Sequence, residues 1–268
     1  LANLTTALPR GNHTITAVFS GTSNYAPSTS NSVSTTVASF TTVDLMIIYT
    51  QQALKFARSQ SRMKRIIAES VSSTNTALLN SRIPLTIRLV YSAKVQYTES
   101  GKLDTDLKRL TLPDDGYMDS VHSLRDSHGA DLVSLFESDG DLGGSGWELR
   151  NLRARDNAAF GFSVVLAPQA AAPVYTLAHE LGHNFGATHD VEHRKGKGAT
   201  PFSNGYRFMV DGYEYHDIMS YDPGETIPYF SNPRIKYQGV PIGTANSADA
   251  ARTITLAAPY VAAYRRPR

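Results

Sequence analysis

Residues 179–189 read HELGHNFGATH, and the rest of the chain is best understood outward from this string. On an α-helix, positions four apart share a face, so His179 and His183 aim their rings at one point with Glu180 beside it. Leu177, Leu181 and Phe185 fall on the other side and offer the helix an apolar face to bury. Gly186 stands where the helix has to end if the chain is to turn back, because glycine takes the left-handed cap conformation without a Cβ penalty. That turn carries His189 towards the same point. Three neutral imidazoles without a thiolate leave a zinc ion its full charge and an open fourth position, which suits a catalytic rather than a structural site. At this chain's own frequencies of His and Glu, the whole pattern arises by accident in about one such sequence in 10⁵, so a helix with incidental surface histidines is the weaker reading.

The string resembles the zinc signature of the metzincin metallopeptidases, and Asp190 directly after the third His resembles their adamalysin, or reprolysin, branch. The resemblance implies a methionine-containing turn beneath the metal, and DIMSY at 217–221 supplies Met219. Tyr221 departs from the reprolysin pattern; similar tyrosines in the astacin and serralysin branches reach the metal or the developing oxyanion. Animal reprolysins are tied by disulfides, whereas this chain has no cysteine, which points to a bacterial reprolysin-like enzyme held together by packing alone.

Over about residues 42–265 the resemblance implies a zinc-dependent endopeptidase, with Glu180 as general base and Tyr221 as an oxyanion donor. It also implies a protein or peptide substrate lying extended along a sheet-edge strand that precedes the active helix. GGSGWEL at 143–149 is the candidate edge: Gly143, Gly144 and Gly146 permit close backbone approach, Ser145 lies between them, and Trp147 flanks the groove. A Gly-rich loop is the alternative. YDPGETIPYFSNP, residues 221–233, is implied as the wall of the specificity pocket.

Upstream, VDLMIIYT at 43–50 predicts a strand, and the spacing of Leu54, Phe56, Met63, Ile66, Ile67, Val71, Ala77 and Leu78 predicts one long helix after it. Strand-like PLTIRLVYSA (84–93), a helical stretch over 117–128, DLVSLF (131–136) and FSVVLAP (162–168) follow, and SADAARTITLAAPYVAAY (247–264) closes the chain as a helix. This alternation predicts an α/β layer arrangement over 41–268 whose patterning thins out after residue 190, and the resemblance implies an α/β (α+β) metzincin-like domain with a twisted mixed sheet, long helices and an irregular C-terminal subdomain. Residues 1–40 contain no acidic group and predict a short β-hairpin appendage. Residues 11–37 resemble the closing strands of bacterial immunoglobulin-like repeats. So short a segment cannot close a sandwich, and the hairpin is expected to pair with another sheet edge.

Composition narrows the remaining possibilities. With 41% hydrophobic and 19% charged residues in 268, the chain is a folded globule rather than a disordered one. Its 26 Lys plus Arg against 24 Asp plus Glu give a net charge of +2, no basis for nucleic acid as a partner, and its apolar runs are too short for membrane insertion. No cysteine means no disulfide, thiolate metal site or cysteine nucleophile. The opening LANLTTALPRGN lacks the features of an export signal, so an extracellular location follows from the resemblance alone.

The basic HRKGKG (193–198) and the terminal YRRPR predict solvated loops. Ser138-Asp139-Gly140-Asp141 offers oxygen donors to a calcium ion but lacks the downstream Glu of a helix-loop-helix site, so a plain turn is the simpler expectation. His122, His128 and His216 show no ligand spacing. Asn3-Leu4-Thr5 and Asn12-His13-Thr14 match a glycosylation sequon. The competing function is a surface adhesion or matrix-binding module with a non-catalytic zinc site, which the N-terminal segment motivates.

Overall fold

The computed structural model describes residues 11–37 and 40–265, and its contacts divide the chain into two compact units, Leu1–Phe40 and Thr41–Arg268. The Asn3 sequon and the last three residues of YRRPR lie outside the described residues. In the small unit, β1 (Gly11–Ile15), β2 (Val18–Phe19), β3 (Ser28–Thr29) and β4 (Val33–Val37) form two antiparallel ladders, β1 with β4 and β2 with β3. They nest around a turn in which Thr22 and Tyr25 exchange backbone hydrogen bonds of 2.8 and 3.3 Å. The expected hairpin therefore has interrupted arms, and its apolar Val18 and Phe19 are exposed.

The larger unit begins with β5 (Thr41–Tyr49), α1 (Gln51–Ala57), α2 (Gln60–Asn80), β6 (Leu85–Lys94), α3 (Leu103–Thr111) and α4 (Ser120–Ser127). It continues with β7 (Leu132–Glu137), β8 (Gly144–Gly146), β9 (Phe162–Leu166) and α5 (Thr176–Asn184). Five strands make one sheet in the order β6-β5-β7-β9-β8, parallel except for β8, which runs antiparallel to β9 at the edge. Side chains of β5 alternate between two cores, as the two-residue period of a strand requires. Val43, Leu45, Ile47 and Tyr49 face a core shared with Met63, Ile67, Leu177, Leu181 and Ile254, whereas Met46 and Ile48 face Leu103, Leu107, Leu110 and Val121. A strand apolar on both faces belongs inside a parallel sheet covered by helices on either side.

Two helical expectations need correction. The single long helix is α1 and α2, because Arg58 ends α1 in a left-handed conformation (φ 64°) and Ser59 starts α2 by accepting the Arg62 N–H at 3.1 Å. The apolar spacing assigns no helix to 103–111, where the structure has α3. It buries Leu103, Leu107 and Leu110 on one stripe, and places Asp104 and Asp106 in its first turn and Lys108 and Arg109 in its last, as the helix dipole favours.

Beyond α5 the predicted irregularity resolves into short strands. β10 (Arg207–Val210), β11 (Tyr213–His216) and β12 (Glu225–Thr226) form a three-stranded sheet, and β13 (Asn232–Tyr237) pairs with β14 (Val240–Ile242). Phe208, Val210, Ile227, Ile235 and Ile242 give this region its own small core. The turn bearing Met219 and Tyr221 links β11 to β12, and α6 (Ala250–Val261) returns to pack on the main core. Among the described residues no helix is long and apolar enough to cross a membrane.

Candidate metal centre

The helix α5 is anchored through Leu177, Leu181 and Phe185, all at most 2% exposed, which fixes the azimuth of its opposite face. From that face His179 Nδ1 meets the Ile218 carbonyl at 2.7 Å and His183 Nδ1 meets the Ala187 carbonyl at 3.0 Å. Carbonyls only accept, so each Nδ1 carries the proton and each Nε2 presents a lone pair. Gly186 turns the chain at φ +85°, and Thr188 is pinned on both sides, its N–H to Ser203 O (3.0 Å) and its carbonyl to Gly205 N–H (2.9 Å). His189 is thereby delivered with its Nε2 3.1 Å from that of His179 and 3.0 Å from that of His183.

Three imidazole nitrogens converging in this way repel one another unless a cation lies among them. For Zn–N bonds of about 2.0–2.1 Å, tetrahedral ligand atoms stand about 3.3 Å apart, so the observed spacing fits zinc closely. Burial, reinforced by the charge of His189, pushes His179 down to about 4, and burial holds His183 well below the ordinary imidazole value. His189 is also lowered, by burial first, with Lys195 adding to it against the opposing backbone bond to His193. All three are therefore neutral, ligand-competent donors near pH 7.

Two contacts tie the quoted motifs to each other and to distant residues. Met219 is fully buried with its sulfur against Gly182, where a Cβ would come within 2.5 Å of Sδ. Asp217, also fully buried, accepts the Ser220 hydroxyl at 2.7 Å and the backbone N–H groups of Tyr206 (3.1 Å) and Ser231 (2.8 Å), knitting the methionine turn to its neighbours. The turn's Ile218 carbonyl then orients His179. The acid directly before the turn is the signal that could have found this anchor.

Glu180 is 5% exposed and lies against the edge strand β8. A Cβ at Gly144 would come 2.5 Å from its Oε1, and one at Gly146 would come 3.0 Å from its Oε2. The glycines of the edge strand therefore make room for Glu180 itself. Gly143 makes the same kind of room for Gln169. Burial, with the charge of Asp104, pushes Glu180 up to about 8; a cation on the imidazoles acts in the opposite direction. Ser145 points the other way and donates to Asp104 at 2.7 Å.

Trp147 lies just past the strand, donates Nε1–H to Thr111 at 2.7 Å and meets Phe160 edge-on, so its ring is tied towards α3. Asn184, at the end of α5, donates to the carbonyls of Trp147 (3.0 Å) and Phe162 (3.2 Å), and Leu149 N–H donates to His183 O at 2.9 Å. These bonds staple β9 and the segment that follows β8 to α5. Tyr221 is 44% exposed, its ring tilted over His189 with centroids 4.5 Å apart and its hydroxyl 2.8 Å from His189 Nε2.

Other candidates take ordinary structural places. Asp139 accepts Gly140 N–H at 2.9 Å, and Asp141 accepts Leu103 N–H at 3.1 Å and pairs with Lys102 at 3.1 Å, so the two carboxylates serve separate partners. His128 stacks on Tyr91, and His216, buried, bonds the Asp217 carbonyl at 2.9 Å.

Comparison with known proteins agrees with this geometry. A family model described as metallo-peptidase family M12B, reprolysin-like, matches residues 21–248. A peptidyl-Asp metalloendopeptidase of Stenotrophomonas maltophilia (strain R551-3) is 32% identical over 228 residues, 84% of this chain and 53% of the relative. One from Xanthomonas campestris pv. campestris is 30% identical over 227 residues, 84% and 52% of the two chains. The chain spans about half the length of these curated relatives. A chain in a solved structure titled "Structure of a chaperone-substrate complex" has a similar fold, with a TM-score of 0.68 at 19% identity, covering 94% of this chain and 46% of that one.

Proposed function

The chain belongs to the reprolysin-like M12B metallopeptidase family, and on that premise we propose that it is a zinc endopeptidase in which Glu180 is the general base. The observation that carries the proposal is the convergence of His179, His183 and His189 at 3.0–3.1 Å with Glu180 buried beside them. His179, His183 and His189 would hold the zinc ion, which when bound would supply Lewis-acid polarisation of the scissile carbonyl and a more acidic attacking water.

The chain's own residues do the rest. Glu180 takes the proton of the attacking water and passes it to the departing amine, a role that suits a carboxylate whose burial raises its basicity. Tyr221, with its hydroxyl at the ligand cluster, donates to the oxyanion of the tetrahedral species. The outer edge of β8 pairs with the backbone of an extended peptide, and the stretch 221–233 walls the side-chain pocket. The Nδ1–H bonds of His179 and His183 keep both rings in register throughout.

The relatives are named for action at aspartyl residues, and we extend that preference to this chain as part of the proposal. Lys195, exposed and close enough to act on His189, supplies a positive charge beside the site. Incubating the zinc-loaded protein with unfolded casein and identifying the cleaved bonds by mass spectrometry tests both levels. The expected result is cleavage at bonds flanking Asp that stops with a chelator and with Glu180→Ala. Unimpaired cleavage by Glu180→Ala removes the general-base role, and cuts without regard to Asp remove the specificity.

A further inference from the structure

His193 belongs to no motif, yet its contacts converge on Tyr221. Its Nδ1 donates to both carboxylate oxygens of Asp190 at 2.9 Å, and Asp190 is buried at 4% exposure. The Tyr221 backbone N–H also lies near Asp190, where it favours the ionised carboxylate. The His193 ring then stands edge-on to the Tyr221 ring, with centroids 5.7 Å apart and planes at 89°. Tyr221 is thus met at its ring by His193, which Asp190 holds, and its hydroxyl reaches His189 Nε2 at 2.8 Å.

Such a grip has a purpose only if the ring has somewhere else to go. Tyr221 is 44% exposed, and a tyrosine so open to solvent samples other χ1 rotamers unless a neighbour blocks them. An edge-to-face partner supplies that restraint with a defined geometry. Glu192 takes no part, since it turns outward to Arg207 at 3.0 Å. We propose that His193, held by Asp190, is a positioning residue that keeps the Tyr221 hydroxyl aimed at the point where the three imidazoles meet. The assignment rests on the peptidase proposal for this site and adds to it a residue that touches neither substrate nor metal.

A double-mutant cycle tests it. In the zinc-loaded protein His193→Ala is expected to lower kcat about tenfold with KM changed by less than about twofold, while Tyr221→Phe lowers kcat by on the order of 10². In the Tyr221→Phe background, His193→Ala is expected to change kcat by less than about twofold, because its effect runs through the missing hydroxyl. A full tenfold loss in that background overturns the proposal. The rate at which a chelator strips zinc gives a second cycle that needs no catalysis. His193→Ala should speed stripping when Tyr221 is present and leave it unchanged in Tyr221→Phe; equal acceleration in both backgrounds counts against the assignment. If the wild-type protein cleaves no peptide, the peptidase proposal falls while the stripping cycle still decides His193. Should His193→Ala fail to fold, His193→Gln keeps a donor for Asp190, removes the ring, and carries the same expectations.

Discussion

The sulfur of Met219 occupies the space that a side chain at residue 182 would need, a Cβ there coming within 2.5 Å of Sδ. Gly182→Ala should therefore overpack the layer beneath the ligands and cost about 1–3 kcal/mol of stability. Because His179 takes its orientation from the Ile218 carbonyl in the same turn, zinc affinity should fall with it. Thermal melting and competition with a chromophoric chelator read the two effects. A variant that melts and holds zinc like the wild type would show that the methionine turn does not bear on the site.

Gly144→Ala addresses the edge strand. The added methyl group points at Glu180 Oε1, so the carboxylate has to move away from its place against β8. The expected outcome is a loss of kcat of about 10²-fold with the far-ultraviolet circular dichroism and zinc content preserved. Retained turnover would mean that the position of Glu180 against β8 is immaterial to the chemistry.

Glu137 sets a pH dependence away from the site. It is fully buried, neither carboxyl oxygen meets an N–H or hydroxyl donor, and burial together with the charges of Asp106 and Glu99 pushes it up to about 9. The folded protein therefore keeps the proton that the unfolded chain releases near its ordinary value of 4.5. This contribution to stability is complete below about pH 4.5 and is lost progressively as pH rises towards 9. Glu137→Gln, which is neutral at every pH, should flatten that decline and so gain stability relative to the wild type as pH rises from 5 to 8. Urea melts at pH 5 and pH 8 check it; parallel losses in both proteins would contradict a protonated Glu137.

How much of this was legible beforehand depends on the distance over which each contact acts. The strand at β5 and the shared face of His179 and His183 on α5 were readable because periods of two and of 3.6 residues are local properties. The break at Arg58–Ser59 was locally encoded too, by a left-handed residue followed by a capping serine, but the apolar spacing ran through it and masked it. The helix α3 is short and highly charged, and its three leucines gain meaning only once the second face of the sheet exists to receive them. Gly182 under Met219, Gly144 against Glu180, and Asp217 holding Ser231 join residues far apart in the chain, so no window of sequence displays them. The glycines could be seen; the side chains that fill their missing Cβ positions could not.

The central claim is that three imidazoles from α5 and its following turn hold a single zinc ion. Titrating metal-free protein with zinc in an isothermal calorimeter, beside His183→Ala, tests it most directly. One ion per chain is expected for the wild type, with release of little or no proton from the ligands at pH 7 because all three are already neutral, and at least about a hundredfold weaker binding for the variant. Wild-type protein that binds no zinc, or a His183→Ala variant that binds it equally well, would contradict the account.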